Sequence, residues 1–301
     1  MKTIFIVNPK AGPENNVELI RNKIKEEGLE DNCEIYVTTA KNNATIFADE
    51  YIDEHPGEEI RFIACGGDGT ICEVFNAAIW KDNVSVSVYP CGSGNDFVKV
   101  FGGPERFQDL RKLVEAPAKK IDVLQVGNRY SINVVNFGFD TTVAITVNED
   151  REKNGHGSKG SYTKGIIKAL IKNMDNKFKV YADGELLNPD GHALLCTLGN
   201  GMYVGGSFVC APNAILDDGL IEVSIVKPIS RLRFVTLISE YVKGTHLNNP
   251  KFADILTYTR AREVRVEAPE GFAYSLDGEI IYENNFTVTV AEKSLNLAVP
   301  E

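Results

Sequence analysis

The stretch Ile63-Ala64-Cys65-Gly66-Gly67-Asp68-Gly69-Thr70-Ile71-Cys72-Glu73-Val74 decides how the first half of the chain is read. An apolar run ending in Cys65 stops at three glycines around one carboxylate. A second apolar pattern then starts, with Ile71, Val74, Phe75, Ala78 and Ile79 at helical spacing. A buried strand followed by a glycine turn and a helix fits this pattern. Glycine permits close backbone approach, and a helix N-terminus presents amides that attract anions.

Working outward, the same unit recurs. Thr3–Val7, Cys33–Thr38, Glu59–Cys65 and Val84–Tyr89 read as short buried strands. Asn15–Glu27, Ala44–Tyr51 and Thr70–Trp80 carry helical periodicity between them. Continuous apolar strands alternating with helices predict a parallel sheet covered on both faces, with ligands bound at the carboxyl ends of its strands. Two further glycine turns follow strands: Asn8-Pro9-Lys10-Ala11-Gly12, and Pro90-Cys91-Gly92-Ser93-Gly94-Asn95-Asp96-Phe97. One such turn is common in α/β folds. Three at strand ends point to a phosphate cradle, in which Asp68 would partner a cation or an acceptor hydroxyl and not the phosphate itself, because like charges repel.

After about Val126 the pattern changes to short alternating runs: Lys177–Ala182, Ala193–Leu198, Leu220–Val226, Glu263–Glu267 and Phe286–Ala291. Turn signals such as Asp183-Gly184 and Asp277-Gly278 separate them, which predicts an antiparallel sandwich interrupted by one helix, Arg231–Val242. The expected organisation is an α/β nucleotide-binding domain over 1–125 and a β-sandwich over 126–301, its last strand free to return to the first domain.

Composition narrows the class. The 301 residues carry a net charge of −10, which argues against a broad nucleic-acid footprint. No apolar run approaches the ~20 residues of a membrane span, and Ile4–Val7 is too short for a signal-peptide core. Six cysteines without a CxxC pair read as reduced residues of a cytoplasmic protein.

The segment Arg151–Lys179 stands apart, with eight basic residues against Glu152 and Asp175. Within it Ile166, Ile167, Leu170, Ile171 and Met174 form one helical face, and Lys164, Lys168 and Lys172 another. Two readings stay open: a solvated lysine face, or an edge resting on an anionic membrane. His156, among Gly155, Gly157 and Gly160, reads as a solvent-exposed loop histidine.

GGDGT with NPKAG upstream and PCGSGNDF downstream resembles the catalytic domain of the diacylglycerol kinase and sphingosine kinase superfamily, above all its soluble bacterial lipid kinases. The second half adds Asn136-Phe137-Gly138-Phe139-Asp140, Asp217-Asp218-Gly219-Leu220 and Leu276-Asp277-Gly278-Glu279. The resemblance implies a two-domain lipid kinase using ATP and Mg²⁺. It places nucleotide contacts on Asn8, Gly12, Thr38 (Thr39 competing), Gly66, Gly67, Asp68, Gly69, Thr70 and Ser93. Catalysis would fall on Asp68, Asp277 and Glu279, with either of the last two as base. It implies a structural Mg²⁺ held by Asp218 and the carbonyls of Ile215 and Leu220. One departure is Asn42-Asn43-Ala44, where the family often has Gly-Asp-Ala, so this loop is expected to touch nucleotide less closely.

The expected reaction is phosphoryl transfer to a lipid hydroxyl, diacylglycerol first. The expected setting is the cytoplasm, with peripheral membrane contact and a homodimer as in soluble relatives. NAD kinases share a similar GGDGT and stand as the alternative enzyme; a non-catalytic nucleotide- or lipid-binding regulator is the third reading. Asp183-Gly184-Glu185 repeats the letters of the catalytic turn, and only the family motif favours 277–279.

Overall fold

A computed structural model describes residues 1–12, 15–154, 159–206 and 208–301. The chain divides into two compact units, Met1–Val123 with Glu292–Glu301, and Leu124–Ala291. Among the described residues no helix is long and apolar enough to cross a membrane, and all six cysteines are free. His156 lies outside the described residues.

The first unit alternates as its sequence predicts: β1 (Lys2–Val7), α1 (Asn16–Glu26), β2 (Cys33–Val37), α2 (Asn43–Glu54), β3 (Ile60–Gly66), α3 (Asp68–Ala78), β4 (Val84–Pro90), α4 (Leu110–Glu115) and β5 (Ala118–Val126). The strands β2–β1–β3–β4 are parallel neighbours, with Val7 beside Cys65 and Cys65 beside Tyr89. Every residue of β3 is buried, as a central parallel strand with helices on both faces requires. The chain's last residues close this sheet: Asn296 and Leu297 pair in parallel with Ser85 and Val86.

The second unit holds β6 (Arg129–Ser131), β7 (Val134–Gly138), α5 (Phe139–Asn154), α6 (Lys159–Lys172), β8 (Asn176–Lys177), β9 (Lys179–Ala182), β10 (Glu185–Leu186), β11 (His192–Ala193), β12 (Leu195–Gly199), β13 (Tyr203–Val204), β14 (Phe208–Val209) and β15 (Ile221–Val226). It continues through α7 (Arg231–Val242), β16 (Leu256–Ala261), β17 (Glu263–Glu267), β18 (Ala273–Leu276), β19 (Glu279–Tyr282) and the first half of β20 (Asn285–Ala298). One antiparallel sheet runs β16–β15–β12–β7–β18–β19. The second places β17 between β9 and β20. Val264 and Val266 of β17 are buried while Glu263 and Arg265 are exposed, the period of two that a half-buried strand shows. They share a core with Phe137, Cys196, Leu198 and Val223 of the first sheet.

The central strands β7, β12 and β15 are buried throughout, which one sandwich partner cannot achieve. Their alternate residues, Val134 and Leu195 among them, enter a second core with Phe139, Ala169, Phe234 and Leu237 from α5, α6 and α7. Three helices therefore cover the sandwich: α7, read as its interrupting helix, α6, whose apolar face the spacing of Ile166, Leu170 and Met174 marks, and α5, which the sequence reading misses. Helix α5 escapes sequence reading because Thr141, Thr142, Val143, Ile145 and Thr146 are β-branched and carry weak helix preference. Burial of Phe139 and Val143 overrides that preference. Helix α7 is locally legible: Ser230 caps it by accepting the Arg233 amide at 3.2 Å.

Candidate active site

Three loops at the carboxyl ends of β1, β3 and β4 interlock in the first unit. The Cys91 and Gly92 amides donate to Gly66 O at 2.9 and 3.3 Å. A Cβ on Gly92 would lie 2.5 Å from Gly67 Cα, and one on Gly66 2.4 Å from Thr70 Oγ1. Real Cβ atoms do not approach that closely, so Gly92 lets two loops touch backbone to backbone and Gly66 makes room for the Thr70 side chain. Asn8 joins them by donating from Nδ2 to Thr70 Oγ1 at 3.1 Å, and Gly12 (φ 78°) presses against Cys91.

Asp68 is the tie. As the first residue of α3 it accepts on Oδ1 the amides of Asp96 at 2.7 Å and Phe97 at 3.4 Å. Burial, and next to it the charge of Asp96, push its carboxyl up to about 6. Asp96 is itself 8% exposed and bonded to Lys99 Nζ at 2.7 Å. Sequence reading assigns no role to Asp96 or Lys99, although both lie in or beside the quoted PCGSGNDF motif.

The other nucleotide candidates are placed as follows. Gly69 and Ser93 are exposed, and Thr70 is buried. Thr38 is buried at the end of β2, while Thr39 is exposed and bonds through its amide to Asn43 Oδ1 at 2.9 Å. The amides of Asn42 and Ala44, at the start of α2, donate to the Glu73 carboxylate at 3.0 and 3.2 Å. A carboxylate of the protein thus caps the amides at the start of this helix.

In the second unit Asp277 and Gly278 form the hairpin turn between β18 and β19, with φ of 49° and 91°. Asp277 Oδ1 accepts from Ser131 Oγ (2.8 Å), Val134 N–H (2.8 Å) and Asn133 N–H (3.1 Å), and Oδ2 accepts from Ile132 N–H at 2.7 Å. With both oxygens engaged by donors, Asp277 is an anchor for residues 131–134. Glu279, two residues on, is exposed at the start of β19.

The expected metal loop is corrected. Leu220 N–H donates to Asp218 Oδ1 at 3.1 Å, and the Arg260 guanidinium pairs with Oδ2. Arg260 Nε also lies 2.6 Å from Oε1 of the buried Glu222, its cross-strand neighbour. Ile215 is 50% exposed. Arg260 supplies the positive charge that the resemblance assigns to Mg²⁺, so this donor set does not fit a resident cation. Among the described residues no group of three or more His, Cys, Asp or Glu could hold a metal.

The lysine stripe faces solvent: the Lys164 side chain is 65% exposed and Lys172 is exposed. Lys164 pairs with Asp150 at 2.7 Å and Lys168 with Glu149 at 3.3 Å, joining α6 to α5. These two acids lower the local excess of basic residues over 149–179 from six to four. Ala169 is buried, and Ile166, Leu170 and Met174 pack on the helical core, whereas Ile167 and Ile171 are exposed.

Between the helices and the six-stranded sheet lies a narrow apolar cavity. Phe139, Val143, Ile166, Phe234, Leu237 and Ile238 are among its walls, and Asp140 is its one acidic lining residue.

The sheet with its interlocked glycine loops and the sandwich are the two domains of the lipid kinase class. Residues 2–126 match the diacylglycerol kinase catalytic domain, and residues 133–299 match the YegS C-terminal NAD kinase beta sandwich-like domain. The chain belongs to this family of YegS-like lipid kinases and diacylglycerol kinases. A "Probable lipid kinase YegS-like" of Chromohalobacter salexigens is 31% identical over 80% of this chain and 76% of that protein. A "Diacylglycerol kinase" of Bacillus subtilis is 30% identical over 91% of this chain and 88% of that one. The crystal structure of a diacylglycerol kinase from Bacillus anthracis shares the fold, with a TM-score of 0.76 at 23% identity over 99% of this chain and 96% of that one. The expected fold and family are borne out.

Proposed function

We propose that this lipid kinase transfers the γ-phosphoryl group of ATP to the free hydroxyl of diacylglycerol, giving phosphatidic acid. The observation that carries the lipid acceptor is the apolar cavity of the second unit, lined almost wholly by hydrocarbon. The donor side rests on the three interlocked loops. Their exposed amides and the start of α3 suit phosphates, and Mg²⁺ would arrive as part of the nucleotide substrate.

In this reading the lipid oxygen attacks the γ-phosphorus, the bond to the β-phosphate oxygen breaks, and the lipid proton passes to Glu279. Glu279 is preferred to Asp277 because both oxygens of Asp277 already accept hydrogen bonds. Asp68 acts by fixing the loop that carries Asp96, which sets the geometry on which phosphoryl transfer depends.

The reading is tested by incubating the protein with γ-labelled ATP and Mg²⁺ against diacylglycerol, sphingosine and NAD in parallel. Labelled phosphatidic acid is expected. Labelled NADP⁺ without labelled lipid would overturn it in favour of the NAD kinase reading.

A further inference from the structure

One carboxyl in the second unit has no part in the chemistry above. Asp140 lies in the first turn of α5 and lines the apolar cavity beside Phe139 and Val143. Its Oδ2 is buried, with no hydrogen-bond partner among the described residues. Burial pushes the carboxyl up to about 7. The titratable groups that sense its charge are the Cys196 thiol on β12 and the Tyr241 phenol on α7, both held uncharged by burial. Neither is a cation. Tyr241 directs its hydroxyl to Thr197 Oγ1 at 3.3 Å.

An ionised carboxylate without a partner is costly in such a lining, so the acid stays protonated over much of the pH range below 7. A protonated carboxyl has one O–H to donate. The ligand that satisfies it is an aliphatic chain bearing an uncharged acceptor. A long-chain amine is the poorer match. Its ammonium would ionise Asp140, and its remaining N–H groups would then face hydrocarbon.

We propose that Asp140 is a specificity-determining residue: as an uncharged acid it donates a hydrogen bond to the ester carbonyl of an acyl chain seated in this cavity, so that the site selects acyl-linked over ether-linked glycerolipids. The assignment rests on the lipid reading above and adds to it the linkage that is recognised.

The test is binding of 1,2-dioctanoylglycerol and of 1,2-di-O-octylglycerol to the full chain by calorimetry at pH 6, with octylamine as a third probe. A single buried hydrogen bond predicts that the wild type prefers the diester by about two- to tenfold. Asp140→Leu should bring the two affinities together by weakening the diester alone. Asp140→Asn, which keeps an N–H donor, should retain the preference. An unchanged preference in Asp140→Leu, no preference in the wild type, or tighter binding of octylamine would overturn the proposal. Binding does not require phosphoryl transfer. An ester preference that depends on Asp140 in a protein that labels neither lipid would therefore uphold this assignment and sink the kinase acceptor. Labelled diacylglycerol with a preference indifferent to Asp140 would do the reverse.

Discussion

Asp183 and Asp277 share one backbone state, φ 47° and 49°, and each turns its carboxylate onto the amides of another segment. Asp183 accepts from Arg262 N–H and Glu263 N–H at 3.0 Å, and Asp277 from Ile132, Asn133 and Val134. The two Asp-Gly-Glu turns are thus alike in construction, and the aspartate does not distinguish a catalytic turn from a plain one. The difference must be sought in the glutamates. Glu279→Gln should lower kcat by about 10²–10⁴-fold, the usual loss of a general base, with melting unchanged. Glu185→Gln should stay within a few-fold of wild type. Equal losses in the two variants would place the base elsewhere.

Because Asp277 holds four donors, Asp277→Asn should cost stability as well as activity. The new amide would oppose the Ile132 N–H, leaving a part-buried donor unmet at a cost of about 1–3 kcal/mol. A thermal melt matching wild type would show that the 131–134 turn does not depend on this anchor.

Asp68 separates charge from scaffolding. Asp68→Asn keeps an oxygen for the Asp96 amide, whereas Asp68→Ala removes it. The asparagine variant should melt near wild type and keep kcat within a few-fold, because the tie that positions Asp96 is retained. The alanine variant should lose both activity and melting temperature. If both variants keep full activity, the loop tie has no bearing on phosphoryl transfer.

The Asp140 carboxyl gives a pH signature in stability. Its folded value, about 7, lies above its ordinary 3.8, so its contribution is fully present below pH 4 and is lost as pH rises to 7. The slope is at most about 1.4 kcal/mol per pH unit. Buried His246 acts oppositely: its value is lowered to about 4 by burial, so it loses stability as pH falls below 6.5. His246 is common to wild type and Asp140→Asn, and their difference isolates Asp140. The variant's advantage in melting temperature should grow from pH 4 to 7 and then level off. A constant difference would mean that Asp140 is ionised throughout.

At the Asp218 loop, chelation with EDTA should leave the melting temperature unchanged, since Arg260 already balances Asp218 and Glu222. Arg260→Ala should be strongly destabilised, because a buried Glu222 and Asp218 are left without a cation, and Mg²⁺ should then restore part of the loss. A wild-type melt that falls on chelation would show a resident cation here.

For membrane contact, replacing Glu149 and Asp150 by Gln and Asn leaves every lysine in place and raises the local positive excess. Binding to anionic vesicles, and its loss with salt, should both increase. The Lys164→Glu, Lys168→Glu, Lys172→Glu triple variant should bind less than wild type. Indifference of binding to both changes would mean that these charges serve only to join α5 to α6.

The first unit was legible in the sequence because its order is local. Continuous apolar runs such as Phe62–Cys65, glycine in the turns after β1, β3 and β4, and 3.6-residue spacing in α3 are all written within ten residues of one another. The family motifs likewise marked Asp68, Asp277 and Glu279 by letters alone. What those letters do was decided by contacts between distant segments. Gly92 needs to be glycine because Gly67, 25 positions earlier, lies 2.5 Å from where its Cβ would stand. Asp277 is an anchor because the chain from Ser131 to Val134 is brought under it. Asp218 meets Arg260 only because β15 and β16 pair in the register that sets Glu222 opposite Arg260. Helix α5 forms against its own β-branched preference because Phe139 and Val143 gain more from burial than the local chain loses. Local propensity and spacing thus determined the elements and the motifs. Tertiary packing alone decided which carboxylates are committed to backbone amides and which stand exposed, because hydrogen-bond partners and burial are properties of neighbours in space.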